Sequence, residues 1–358
     1  MGSAPWLVCF LTEGHKKVSG IRGMPMTRRA QIARRMLLLT ISGVVLALVT
    51  WGIYATVADA RNELSGKPVP WDLDPVWLIF ASLFYLCGML PMVAFWHRAL
   101  HALGCRPRYF ETLRAYSIGS LGKYVPGKAL VVVLRTRMLM SDRVGGTATT
   151  VSVFLETLTM MAVGAFLSLL MFLLWLDVHL QEYPFLLPLT IGLLIVAGLP
   201  TLPSIFKKIV LRLGTSRFDA EIENRLTGIH WALMGHGWFL MILGWGCFAG
   251  SLWSVVRGMG LESTIGAGAL PYCLAAITLA IVAGFLSLIP GGAGVREYLI
   301  TIILGHFYFA EVLDLPFAAA TALVVAMLLR LVWLAVEFAL ALILVAIGYF
   351  GAPIRSTS

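Results

Sequence analysis

Five ionisable residues, Glu156, Arg296, Glu297, Arg330 and Glu337, stand inside runs that are otherwise apolar. On insertion scales a central Arg, Lys or Asp costs about 2.5 to 3.5 kcal/mol, and each Leu or Ile offsets only about 0.3 to 0.6. Such residues face a cavity or one another, and by default they mark a pathway. Arg296 and Glu297 follow a Pro290-Gly291-Gly292-Ala293-Gly294 break. A second break, Pro126-Gly127, lies between Lys123 and Lys128, with Arg135 and Arg137 shortly after. Proline donates no backbone hydrogen bond and glycine tolerates a left-handed turn, so a helix should stop at both places. At membrane depth such backbone persists only where protein or a wet cavity satisfies it. Helix N-termini exposed after the breaks would offer N–H groups and a positive dipole end, and with Lys128 and Arg296 they would seat a phosphate. The plainer alternative is a set of ion pairs that lock helices together, for instance Glu156 with Arg330 or Glu297 with an arginine. For Glu337 and Arg137 that alternative, or snorkelling to an interface, is preferred, and Lys123 also reads as able to snorkel.

The elements that position these residues must be membrane helices. The chain has 358 residues, 59% hydrophobic and 13% charged, with a mean hydropathy of +0.88, against roughly 25% charged residues in a soluble domain. That leaves no room for a soluble catalytic domain. The net charge of +9 does not point to nucleic acid, because the basic residues cluster in short loops beside apolar runs, as membrane topology requires. The cysteines are scattered without a CxxC and read as small packing residues. His97 and His101 are four apart and share a helix face, but no third ligand accompanies them, so an interfacial turn is expected rather than a metal site. No P-loop, HExxH or G-x-S-x-G is present, and no cofactor is implied.

Residues 1–30 read as a basic cytoplasmic tail without fixed structure, and residues 31–358 as one transmembrane domain. Full spans are expected at Met36–Ala58, Val76–Trp96, Gly146–Leu176, Pro184–Phe206, Trp231–Val256 and Phe317–Phe350. Between them, the segment from Tyr109 to Arg137 has basic residues at both ends and arms too short to span. It reads as a hairpin entering from the cytoplasm. The segment from Ile265 to Ala310, broken at Pro290, ends at acidic residues and reads as a hairpin entering from outside. The expected fold is therefore all-α: a polytopic bundle of about six spans with two Pro-Gly-broken re-entrant hairpins as an inverted repeat. Flanking charges put both termini in the cytoplasm, in the plasma (inner) membrane of the cell. Gly246 and Gly250 form a small-xxx-small spacing suited to close packing within the chain.

The run from Trp96 to Leu139, with W-x-R-x-L-x-x-L-G-x-R at its start and S-x-G-S-L-G-K-Y-V-P-G-K at its centre, resembles the lysylphosphatidylglycerol synthase transmembrane-region family. So does L-I-P-G-G-A-G-V-R-E at Leu288 to Glu297, the more specific motif, and Arg330 within its apolar run. The likeness extends over nearly all of residues 36 to 350. The family includes the flippase domain of the multiple peptide resistance factor. The resemblance implies a protein that moves a lipid or lipid-linked headgroup between leaflets, with an anionic phospholipid as partner. Glu156 is followed by Thr157-Leu158-Thr159, where many members carry E-R and a following Asp, so its partner is left open. The soluble aminoacyl-transferase domain of the bifunctional members is missing, so the chain is expected not to act as an enzyme. A headgroup-modifying membrane enzyme and a small-solute or ion transporter stand as the alternatives.

Overall fold

The computed structural model describes residues 73–124, 129–141, 144–175, 183–213, 220–260, 268–287, 292, 294–311 and 313–350. The tail expected over 1–30, the run Met36–Ala58, and the break residues Pro126, Gly127, Lys128, Pro290 and Gly291 lie outside them. Every extended element among the described residues is helical. In chain order they are α1 (Pro75–Ala102), α2 (Tyr109–Ser120), α3 (Ala129–Leu139), α4 (Gly146–Leu174), α5 (Leu186–Gly198), α6 (Pro203–Leu213), α7 (Ala220–Leu226), α8 (Trp231–Arg257), α9 (Ala269–Leu286), α10 (Val295–Ile300) and α11 (Leu315–Phe350). A 3-10 turn, Leu121–Tyr124, extends α2, and a wider π-turn, Thr301–His306, extends α10.

Among the described residues α1, α4, α8, α9 and Phe317–Ile347 of α11 are long and apolar enough to cross a membrane. The run expected as a span over Pro184–Phe206 is not straight. It stops at Gly198, passes through the 3-10 turn Leu199–Thr201 and turns by 76° into α6. Pro200 and Pro203 each remove a backbone donor there, which breaks the ladder. The helix α6 then carries Lys207, Lys208 and Arg212.

Local sequence explains the helix starts. The Asp74 carboxylate accepts from the Val76 N–H at 2.9 Å, and Pro75 stands at the first helical position, where no donor is needed. Helices α1 and α8 run antiparallel, tied at one end where the Asp74 N–H donates to the Gly258 carbonyl at 3.0 Å. Glycines permit the approach: a β-carbon on Gly88 would lie 2.6 Å from the Phe248 ring, and one on Gly237 2.4 Å from Phe95. Of the expected small-residue pair, Gly250 packs against Phe84, whereas Gly246 faces open space. On α4, a β-carbon on Gly164 would meet Trp245 at 2.7 Å and Val282 at 2.9 Å, which brings α8 and α9 onto α4. The bundle's outer surface carries exposed Ile79, Phe80, Leu83, Phe154, Ile195 and Phe239, a face suited to lipid rather than water.

Gly164→Val should overpack this junction and lower stability by about 1 to 3 kcal/mol. Gly246→Ala, where a β-carbon meets nothing, should leave stability unchanged. Thermal melting of the two variants in detergent checks the contrast, and equal melting would contradict the packing described.

Candidate functional site

The first short hairpin is α2 with α3. Gly119 lies against Arg135 and Gly122 against Val131, so the chain reverses between residues 124 and 129. The Arg135 side chain crosses Gly119, where a β-carbon would stand 2.5 Å from its Cγ. Its guanidinium then donates from Nη1 to Glu156 Oε2 of α4 at 2.8 Å and from Nη2 to the Ser120 hydroxyl at 3.3 Å. It sits over the Tyr116 ring at 3.9 Å and the Trp96 ring at 5.1 Å. Tyr116 donates to the other Glu156 oxygen at 3.2 Å. Both charged residues are buried. The partner of Glu156 is thus Arg135, not Arg330, because the return arm of the hairpin lies beside α4 and α11 does not bring Arg330 there.

The second hairpin, α9 with α10, repeats the device. Gly292 packs on Gly284, backbone to backbone, and adopts a φ of +67° that favours glycine. Arg296 crosses Gly284, where a β-carbon would stand 2.8 Å from its Cγ. Gly294, at φ +82°, precedes α10, and its N–H donates to Glu297 Oε2 at 2.6 Å. Of the N–H groups expected to be free after this break, that of Gly294 is not: Glu297 folds back and takes it, as a carboxylate in a first helical turn readily does.

Helix α11 joins the two hairpins. Arg330 Nη1 donates to Glu297 Oε1 at 2.5 Å, holding the second hairpin. Two turns later Glu337 pairs with Lys123 of the first. The Tyr85 hydroxyl donates to Glu337 as well, and Tyr124 sets its hydroxyl against the same carboxylate. Tyr85 is itself fixed by stacking on Trp333 at 4.5 Å and Phe248 at 5.4 Å. Of the two readings of Glu337, the internal ion pair is the one found: the residue is 1% exposed. Lys123, which read as able to snorkel, neutralises it instead. Arg137 remains exposed on α3.

Arg296 stands within electrostatic reach of Tyr124, Arg330, Glu297 and Glu337, yet it forms no ion pair among the described residues. Its Nε is buried without a hydrogen-bond partner, and so is Glu337 Oε2. Among the described residues the cluster holds four cations, Lys123, Arg135, Arg296 and Arg330, against three carboxylates, Glu156, Glu297 and Glu337, so among them one positive charge is left over. The side chains of Lys123 and Arg330 are 30% and 36% exposed, while those of the carboxylates are 11% or less. Lys123 and Arg330 are thus the accessible cations, while Arg135 and the three carboxylates lie in the interior.

A family model described as "Lysylphosphatidylglycerol synthase TM region" matches residues 39–313. The chain belongs to that family. No curated protein matches it. The family match ends before α11, so the lysylphosphatidylglycerol synthase TM region as matched contains both hairpins and Glu156 but not Arg330 or Glu337. The tyrosines at 85 and 116 carry no sequence signal, since a tyrosine in an apolar helix is ordinary, whereas Tyr124 lies within the Ser117–Lys128 motif. Glu337 did carry one, as a charge mid-run read as an ion-pair candidate, although no spacing named Lys123 as its partner.

Removing one partner of a buried ion pair leaves an uncompensated charge, at a cost of about 3 to 5 kcal/mol. Arg135→Met should therefore destabilise strongly, and Arg135→Met combined with Glu156→Gln should recover most of the loss. Melting of the single and double variants measures this, and an additive loss would contradict the pairing.

Proposed function

We propose that the chain moves an anionic phospholipid or lipid-linked headgroup between the leaflets of the plasma (inner) membrane, with both termini cytoplasmic. The surplus cation carries this reading. A protein interior seldom keeps an uncompensated charge and an unpaired buried donor unless a ligand, ion or water uses them. Here the charge lies where both hairpins meet α11, with Lys123 and Arg330 on its accessible side. An anionic phosphate entering there meets three cations before any carboxylate, and its acyl chains stay among the bundle's outer apolar residues.

The two hairpins support the same reading. Each reverses direction beside the same local geometry, an arginine on the return arm laid across a glycine of the first arm. In the inverted-repeat arrangement two such broken elements flank a midplane site and rock against the rest of the bundle. Lys128, Pro126, Gly127, Pro290 and Gly291 belong to the proposed site through the motifs that contain them. Transport leaves lipid mass unchanged, which separates it from a headgroup-modifying enzyme.

Arg296→Gln, in proteoliposomes carrying a labelled anionic phospholipid, should slow flipping about tenfold, the effect of losing one charge-assisted hydrogen bond in the rate-limiting state. The melting temperature should hold, because no ion pair is broken. Flipping no faster in wild-type vesicles than in protein-free ones, or a mass change in the recovered lipid, would overturn the proposal.

A further inference from the structure

A separate cavity of about 350 Å³ lies between the C-terminal end of α1 and the first turns of α8. It is lined by His97, Arg98, His101, His230 and His236, with Ala232 and Leu233. Only the pair on α1 shares a periodicity in the sequence. The antiparallel packing of α1 on α8 brings in the other two histidines.

Each imidazole has at least one nitrogen already engaged, and the partner fixes its tautomer. His236 Nδ1 lies 2.8 Å from the Ala232 carbonyl, which can only accept, so Nδ1 carries the proton. His97 Nδ1 lies 2.9 Å from the Thr112 hydroxyl, whose own proton goes to the Arg108 carbonyl at 3.3 Å. Nδ1 is the donor there too. His97 and His236 therefore leave bare Nε2 lone pairs when neutral and gain Nε2–H donors only when protonated. His230 is the reverse: Nδ1 accepts from the Leu233 N–H at 3.3 Å, so Nε2–H is free to donate. His101 accepts from Arg106 at 3.0 Å and turns Nε2 toward the Pro107 carbonyl at 3.4 Å.

The surrounding charge is positive. Arg98 lines the cavity, Arg106 bonds His101, and Arg225 lies beside Gly104 just after α1. From α2, Tyr109 sets its ring edge-on to His97 at 5.3 Å. The nearby acid, Glu111, is occupied by the Arg108 N–H at 2.8 Å. The level in the bilayer also points to a ligand. Trp231, 67% exposed at the start of α8, is the residue type that settles among lipid headgroups.

We propose that this cavity binds a phosphate group at the membrane surface, and that binding strengthens as His97 and His236 take up protons and become donors. A metal ion fits less well, because among the described residues no group of three or more His, Cys, Asp or Glu is placed to hold one. The site is independent of the central cluster, so its failure would leave the transport reading intact.

The full chain in maltoside micelles, titrated calorimetrically with dihexanoyl phosphatidic acid, should bind about tenfold tighter at about pH 6 than at about pH 8, on either side of the imidazole range. The H97Q/H236Q variant should lose that pH dependence while keeping its size-exclusion profile. Arg98→Ala should weaken binding at both pH values. Inorganic phosphate is the second probe: the same pH-dependent binding assigns the site to phosphate itself, and its absence assigns it to a lipid headgroup. If neither probe binds with a pH dependence that the double variant abolishes, or if zinc binds in their place, the proposal fails.

Discussion

A carboxylate sealed among apolar helices stays charged only beside a cation, and three times this chain supplies that cation from a different helix. Glu156 of α4 takes Arg135 of α3, Glu297 of α10 takes Arg330 of α11, and Glu337 of α11 takes Lys123 after α2. Taking each carboxylate out of water costs several kcal/mol that only close, hydrogen-bonded pairing offsets. The positions of the short helices depend on this requirement. Arms of 12 and 11 residues have too little apolar surface to fix their own depth and rotation, and the ion pairs fix both. Tyr85 and Tyr116 each add a hydrogen bond to a buried carboxylate, which helps charge and burial coexist.

The arginine-over-glycine contact is the second constraint. At Gly119 and at Gly284 a β-carbon would collide with the Cγ of Arg135 and of Arg296. In both hairpins the aliphatic stem packs on bare backbone while the guanidinium travels onward, as long cationic side chains do when they cross apolar surface. The ends differ. Arg135 finds a carboxylate and becomes structural, whereas among the described residues Arg296 finds none and becomes the surplus charge. The same local device therefore holds one hairpin to its neighbour and leaves the other with a free cation.

The helical class, the α1, α4 and α8 spans, the short α2–α3 hairpin and the charges within apolar runs were legible in the sequence, because hydropathy and Pro-Gly breaks are local signals; α9, expected as a re-entrant arm, is itself long and apolar enough to cross a membrane. The pairing was not. Glu156 is 21 residues from Arg135, and Lys123 is 214 from Glu337, and nothing local says which distant cation reaches which acid. Glu337 was legible as an ion-pair candidate, but its depth and partner were not, for a related reason. A long apolar run permits several depths for one charge, and only the Tyr85 and Lys123 contacts choose among them. The bend after Gly198 was visible as Pro200 and Pro203, but hydropathy averages across it. The four-histidine cavity needed the register of α1 on α8, which glycine contacts set and which no spacing announces.

Helix α11 raises a question of coupling that the geometry can answer in part. Arg330 and Glu337 lie two turns apart on one rigid element, each holding a different hairpin. A relative movement of the hairpins must either carry α11 along with one of them or open one of its two pairs. Opening a pair uncovers a buried carboxylate, which is costly unless another cation replaces the lost one. Arg296 is within electrostatic reach of Glu297 and Glu337 alike, so it is placed to compensate whichever acid is uncovered. In the proposed transport reading, an anion bound to Arg296 withdraws that compensation, and its release restores it. The surplus charge would then serve twice, as the attraction for an anionic headgroup and as the group that decides which hairpin α11 can let go.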